Sequence, residues 1–126
     1  MSFFTDLRDA IVADASISAE YDTRRYFQLL PRDIDKSKTW LRWGFTRGEE
    51  MSCMGGGTAQ YEYEMFIDVM SKTINDLPNM GDEIIENFDD KSFGGITNIN
   101  FINDLYTNYQ ERDIFARTLN FTATYR

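Results

Sequence analysis

The sequence predicts an α/β (α+β) fold: one antiparallel or mixed sheet of about four to five strands, with two helices packed on one face. Two observations predict the strands. Gln60–Met70, QYEYEMFIDVM, places Tyr61, Tyr63, Met65, Ile67 and Val69 on one side of a two-residue period, and Ile114–Tyr125 alternates in the same way. A third predicts the helices: near the start of the chain and again at Leu77–Phe88, apolar residues recur at helical spacing.

Taken in order, Ser2 to about Ala15 reads as a helix, with Phe4, Leu7 and Ile11 on one stripe widened by Phe3 and Ala10. Ser2 is the expected N-cap, and Asp6 sits near the positive end of the helix dipole. Ser16–Arg24 is polar and reads as a connection. Arg25–Leu30 reads as a short strand stopped by Pro31, which lacks a ladder donor, and Asp33–Lys38 as a charged turn. Thr39–Arg47 reads as a strand with Leu41, Trp43 and Phe45 on one face. Gly48–Ala59 breaks all periodicity and reads as a flexible loop between two antiparallel strands.

Gln60–Met70 is then the central strand, with Tyr63, Met65, Ile67 and Val69 facing the helices. The second helix covers Leu77–Phe88, with Asp76 as N-cap and Pro78 tolerated in the first turn. Phe93-Gly94-Gly95 turns the chain, and Ile96–Leu105 reads as a strand. Tyr106–Asp113 reads as a polar loop, and Ile114–Tyr125 as the last strand. Arg117 interrupts its apolar face near an end, where the guanidinium is expected to reach water.

At 126 residues, one domain over 1–126 is expected, with a core adequate without disulfides or metals. Thirteen basic against twenty-one acidic residues give −8. That balance argues against nonspecific binding to DNA or to an anionic membrane, both of which need a basic surface. Cys53 is the only cysteine, which excludes an intramolecular disulfide. MSFFTDLRDA does not read as a secretory signal, and no apolar run reaches bilayer length. A protein made in the cytoplasm is expected.

The sequence has no histidine, so serine–histidine and cysteine–histidine pairs cannot be built. Gly55-Gly56-Gly57-Thr58 lacks the Gly-Lys-Ser/Thr ending of a phosphate loop. Glu83, Glu86, Asp89 and Asp90 do not have calcium-loop spacing and read as a solvated helix face. Glu62, Glu64 and Asp68 line the second face of the central strand and read as facing solvent or a subunit interface. Cys53 has acidic neighbours, Glu49 and Glu50, which favour an inert thiol. No enzyme, cofactor or metal is expected. Met51 and Met54 suit an adaptable contact surface, or fold back on the sheet.

The N-terminal LRDAIVADASI, the LLP at Leu29–Pro31, YEYEMFIDVMSKT and the closing RTLNFTATYR together resemble the tail terminator, or tail completion, proteins of long-tailed bacteriophages. The likeness spans nearly the whole chain and lies in lengths and order of elements. Related chains often carry a second proline before the first long strand, where this one has Ser37-Lys38-Thr39-Trp40.

The resemblance implies a virion protein of the tail or neck, forming a homo-oligomeric ring, usually a hexamer. Such a ring caps the tail tube, ends tube growth and meets the head connector; the implied partners are the tail tube protein and that connector protein. DNA would pass the lumen without specific binding. Six copies at −8 each carry −48, and an acidic lumen repels phosphates within a Debye length of about 8 Å. The alternatives are another neck or tail subunit, such as a head-closure or tube protein, or a small carboxylate-based enzyme or metal-binding domain. The candidate interface residues are Glu49, Met51 and Met54 in the glycine-rich loop, with Tyr106, Tyr109 and Arg112 in the later one.

Overall fold

The structure, a computed structural model, describes residues 2–51 and 60–126, with side chains described at 2–48 and 60–126. Its elements are α1 (Phe3–Ala13), α2 (Ala15–Tyr21), β1 (Arg25–Phe27), β2 (Trp40–Met51), β3 (Gln60–Ser71), a 3-10 turn (Ile74–Asp76), α3 (Leu77–Phe88), β4 (Ile96–Tyr109) and β5 (Ile114–Tyr125). The five strands form one mixed sheet in the order β1-β2-β3-β5-β4. Only β1–β2 is parallel among these pairs. β3 is therefore the middle strand, as its alternation predicts.

The three α-helices pack on one face. Leu41 and Trp43 of β2, Met65, Ile67 and Val69 of β3, and Leu119, Phe121 and Ala123 of β5 meet Phe3, Leu7 and Ile11 of α1, and Leu77, Ile84 and Phe88 of α3. Tyr63 is half-buried and stacks on Phe3 with ring centroids 4.0 Å apart, which seats the start of α1 on the middle strand. The Ser2 hydroxyl accepts from the Thr5 amide, the expected N-cap. Asp6 is buried, and its carboxylate accepts from the Gly95 amide at 2.9 Å and the Tyr125 hydroxyl at 3.0 Å. It thereby ties α1 to the turn before β4. Gly94 lies beside that carboxylate at φ +56, a backbone state that favours glycine.

Several boundaries differ from the sequence reading. Ser16–Arg24 is not simply a connection: α2 fills most of it, burying Ile17 and Tyr21 at i and i+4. Asp14 is extended, ends α1 and caps α2 through the Ile17 amide. β1 ends at Phe27 because Gln28 turns to φ 61, before Pro31 is reached. Residues 28–39 then cross to the helix-free face, where Leu30 and Ile34 cover a second small core of Trp40, Met70, Ile114 and Ala116. β2 runs four residues past Arg47, with a register shift between Arg47 and Glu50. The expected loop Gly48–Ala59 therefore begins as strand, and its remainder, 52–59 with Cys53, Met54 and the three glycines, lies outside the described residues.

α3 has the predicted bounds and Asp76 stands at its N-cap position, but the carboxylate makes no capping hydrogen bond; Asp76 also ends the 3-10 turn and accepts from the Ser71 hydroxyl at 3.2 Å. Gly81 leaves room for Arg117: a Cβ there would lie 2.7 Å from its Cδ. Gly81→Ala is expected to destabilise by about 1–3 kcal/mol, although alanine is the better helix former by about 1 kcal/mol. Urea unfolding checks this; a stabilised variant would mean that Arg117 moves aside freely.

Candidate interaction surface

The described candidate interface residues fall into two groups at opposite ends of the sheet. Met51 pairs with Gln60, and Tyr61 pairs with Tyr125. Tyr109 pairs with Ile114, and Phe115 with Ser71, at the far end of β3. The separation along β3 is roughly 35 Å at about 3.3 Å per residue. The backbones of Glu49 and Met51 belong to β2, but their side chains, like all of Met54, lie outside the description.

Tyr106 and Tyr109 are not in a loop. β4 continues to Tyr109 and the turn is Gln110–Asp113, because β5 from Ile114 to Arg117 supplies a ladder for those backbone groups. An odd spacing of three along a strand puts the two tyrosines on opposite faces.

Tyr106 lies on the helix side, with the Arg117 guanidinium 5.5 Å from its ring centroid. Arg117 does not reach for water: it is 7% exposed. Its Nε donates to Asp104 at 2.7 Å, and its Nη1 donates to the Pro78 carbonyl at 2.8 Å and to Asp82 at 3.0 Å. Burial alone would lower its pKa, but the hydrogen bonds it donates to Asp104 and Asp82 outweigh that and raise it. A position that breaks the apolar pattern of β5 thus links the first turns of α3 to β4.

Tyr109 lies on the helix-free side, in a hollow of about 230 Å³ with Leu29, Leu30, Met70, Ile114 and two arginines, Arg42 and Arg112. Arg112 Nη1 donates to the Pro31 carbonyl at 3.2 Å, which fastens the β4–β5 turn to the 28–39 crossover. Arg42 is paired: its Nε donates to Asp68 at 2.7 Å, and its guanidinium lies over the Phe66 ring. Asp68 is fully buried, contrary to the expectation of solvent or an interface, because Arg42 crosses from the next strand to cover it. Glu62 and Glu64 of the same strand are exposed, as expected.

The sequence reading missed the apolar part of this surface. Ile102 is 55% exposed, Leu105 62% and Leu29 80%. Ile102 borders an open groove of about 310 Å³ with Thr46, Glu64, Phe66, Asn103, Asn120 and Thr122 across the helix-free face. β4 is also an edge strand, with one side of its backbone unpaired within the sheet, and its register shifts twice, between Thr97 and Asn100 and between Phe101 and Asn103. The signal was present in part, since Ile102 falls among asparagines on the polar side of its strand.

Among the described residues no three acidic or sulfur side chains converge to hold a metal ion, and Glu83, Glu86, Asp89 and Asp90 are exposed. No described helix is long and apolar enough to cross a membrane. What the surface offers is an edge backbone, exposed aliphatic side chains and amide or hydroxyl groups, the chemistry of protein contact.

No family model matches the chain, and no curated protein matches it. Among solved structures, the chain is similar to one from the "Virion of native gene transfer agent (GTA) particle". The TM-score is 0.72 at 16% identity, over 98% of this chain and 94% of that one. At that identity the likeness is one of fold.

Proposed function

We propose that this protein is a structural subunit of a phage-type virion, acting in the neck as a tail terminator. Several copies, six by the resemblance, form a ring that caps the tail tube, ends its growth and meets the head connector. The observation that carries this reading is the fold likeness to a virion chain over nearly the full length of both. The exposed Ile102 and Leu105 on the edge strand β4 supply a surface suited to neighbours, and the charge of −8 suits a ring that lets DNA slide. Mass measurement of the purified chain, alone and with the tube protein of the same virion, tests it. A multiple of 14.7 kDa and capped tubes of defined length are expected. A chain that stays monomeric with both and leaves tube length unchanged would overturn the proposal.

Because Tyr106 and Tyr109 face opposite ways, the contact test belongs to the helix-free side. Leu105→Ser with Tyr109→Ser should leave the subunit folded, since both side chains are exposed, but should block ring or neck assembly. Circular dichroism checks the fold and electron microscopy the particles. DNA-filled particles with tails of normal length would remove this face from the interface.

A further inference from the structure

The hollow at Tyr109 brings two guanidinium groups to one apolar floor. Met70 of β3 and Ile114 of β5 form that floor, and Leu29 and Leu30 of the 28–39 crossover form a wall. Arg42 reaches it from β2 and Arg112 from the β4–β5 turn. No carboxylate lines it, although the chain carries 21 acidic residues against 13 basic ones. Glu111 and Asp113 of the same turn are exposed and outside the lining.

The two arginines differ in what they have left to offer. Arg42 is matched: the buried Asp68 takes its Nε and Nη2, and its Nη1 reaches the Gln28 carbonyl at 3.4 Å. Arg112 has no carboxylate partner among the described residues. One of its N–H groups goes to the Pro31 carbonyl, which holds the guanidinium in place without neutralising it. The hollow therefore presents a fixed positive charge beside apolar side chains.

That charge selects an anion, and the floor selects an apolar one. At about 230 Å³ the hollow is smaller than the roughly 300–1,000 Å³ of pockets that enclose whole ligands, so it suits one residue and not a folded surface. An aspartate or glutamate side chain brings its carboxylate on a short stem, and would leave Leu29, which is 80% exposed, uncovered. A chain-terminal residue carries a carboxylate and a full apolar side chain on one α-carbon, and so meets both the guanidinium and the floor.

We propose that this hollow is a docking site for the carboxyl-terminal residue of a partner protein, its apolar side chain seated on Met70 and Ile114 against Leu29, and its carboxylate paired with Arg112. The site names the partner chemistry of the helix-free side and rests on the reading of that side as the contact face.

The experiment uses the full chain, isotopically labelled for NMR and titrated with N-acetyl-leucine at constant ionic strength. Saturable shifts are expected at Leu29, Leu30, Tyr109 and Arg112 and at the Met70 and Ile114 methyl groups. A dissociation constant in the millimolar range suits one partly solvated ion pair with one apolar side chain. N-acetyl-leucinamide, which lacks the carboxylate, and sodium acetate, which lacks the side chain, should each bind at least about fivefold more weakly. Arg112→Gln should weaken N-acetyl-leucine about fivefold or more, and Arg112→Lys should restore most of it. Leu29→Ser, at an exposed position that leaves the Pro31 tether intact, should weaken it about threefold. Scattered shifts, or equal binding by Arg112→Gln and Leu29→Ser, would overturn the site. Equal or tighter binding of acetate would replace it by a plain anion site, and of N-acetyl-aspartic acid α-amide by a site for an acidic side chain. Shifts of the same residues on concentrating the chain without probe would give the hollow to a second copy, which also overturns it. Probe binding by a chain that assembles nothing would leave the site standing and remove the neck role. Normal assembly without probe binding would remove the site alone.

Discussion

Ile67→Ala is expected to destabilise the protein by about 2–5 kcal/mol, toward the upper end of that range. Ile67 is fully buried on the middle strand. Its neighbours across the ladders are Trp43 on β2 and Leu119 on β5, both buried as well. The cost of such a truncation depends on how far the surroundings can collapse into the space. Here they are held on both sides by antiparallel ladders and from above by helices, so little collapse is available. Urea unfolding monitored by tryptophan fluorescence gives the value. A loss below about 0.5 kcal/mol, the size of an ordinary surface substitution, would place the side chain outside the core.

Arg117→Met is expected to cost about 2–4 kcal/mol. Removing one member of a fully buried ion network costs about 3–5 kcal/mol, because the remaining charge stays buried and unpaired. That limit does not apply in full here. The Asp82 side chain is 68% exposed and Asp104 is 32% exposed, so both can rehydrate once the guanidinium is gone. What is lost is the hydrogen bond to the Pro78 carbonyl, the clamp between α3 and β4, and the cation under the Tyr106 ring. Methionine fills part of the channel past Gly81, which keeps the cavity term small. Asp82→Asn should cost less than about 1 kcal/mol, because an exposed partner contributes little. Hydrogen exchange at the start of α3 should rise in Arg117→Met. Unchanged exchange and an unchanged urea midpoint would show that the guanidinium does not hold this helix.

Tyr106 belongs to the same unit, which changes the meaning of that residue. From its type and its place near a turn it reads as a contact residue. In the fold, 44% of it is exposed while one ring face covers Arg117. Its replacement therefore mixes a loss of stability with any loss of contact, whereas Leu105 and Tyr109 separate the two.

Local pattern was enough where an element presents one apolar face over ten or more residues. β3, β5 and α3 are of that kind, and α3 and β5 have the predicted bounds, with β3 one residue longer. The parallel pairing of β1 with β2 was open in the sequence, because three residues carry no directional signal. α2 was missed because seven residues offer only two buried positions, Ile17 and Tyr21, among polar ones.

What the sequence by itself determined is therefore the order of the long elements, the helix-facing side of β3 and β5, the Ser2 cap and the acidic balance. These follow from side-chain periodicity, which repeats along the chain and needs no partner. The tertiary structure alone decided which polar residues are buried. Asp6, Asp68 and Arg117 each look like surface residues, and each is buried because a partner arrives from a distant part of the chain: Tyr125 and Gly95, Arg42, or Asp82 and Asp104. It also decided that Tyr106 and Tyr109 point apart, and that Leu29, Arg42 and Arg112 border one hollow. A charged or hydroxyl side chain can be buried only against its complement, and which complement comes within reach is a property of the packed sheet and helices.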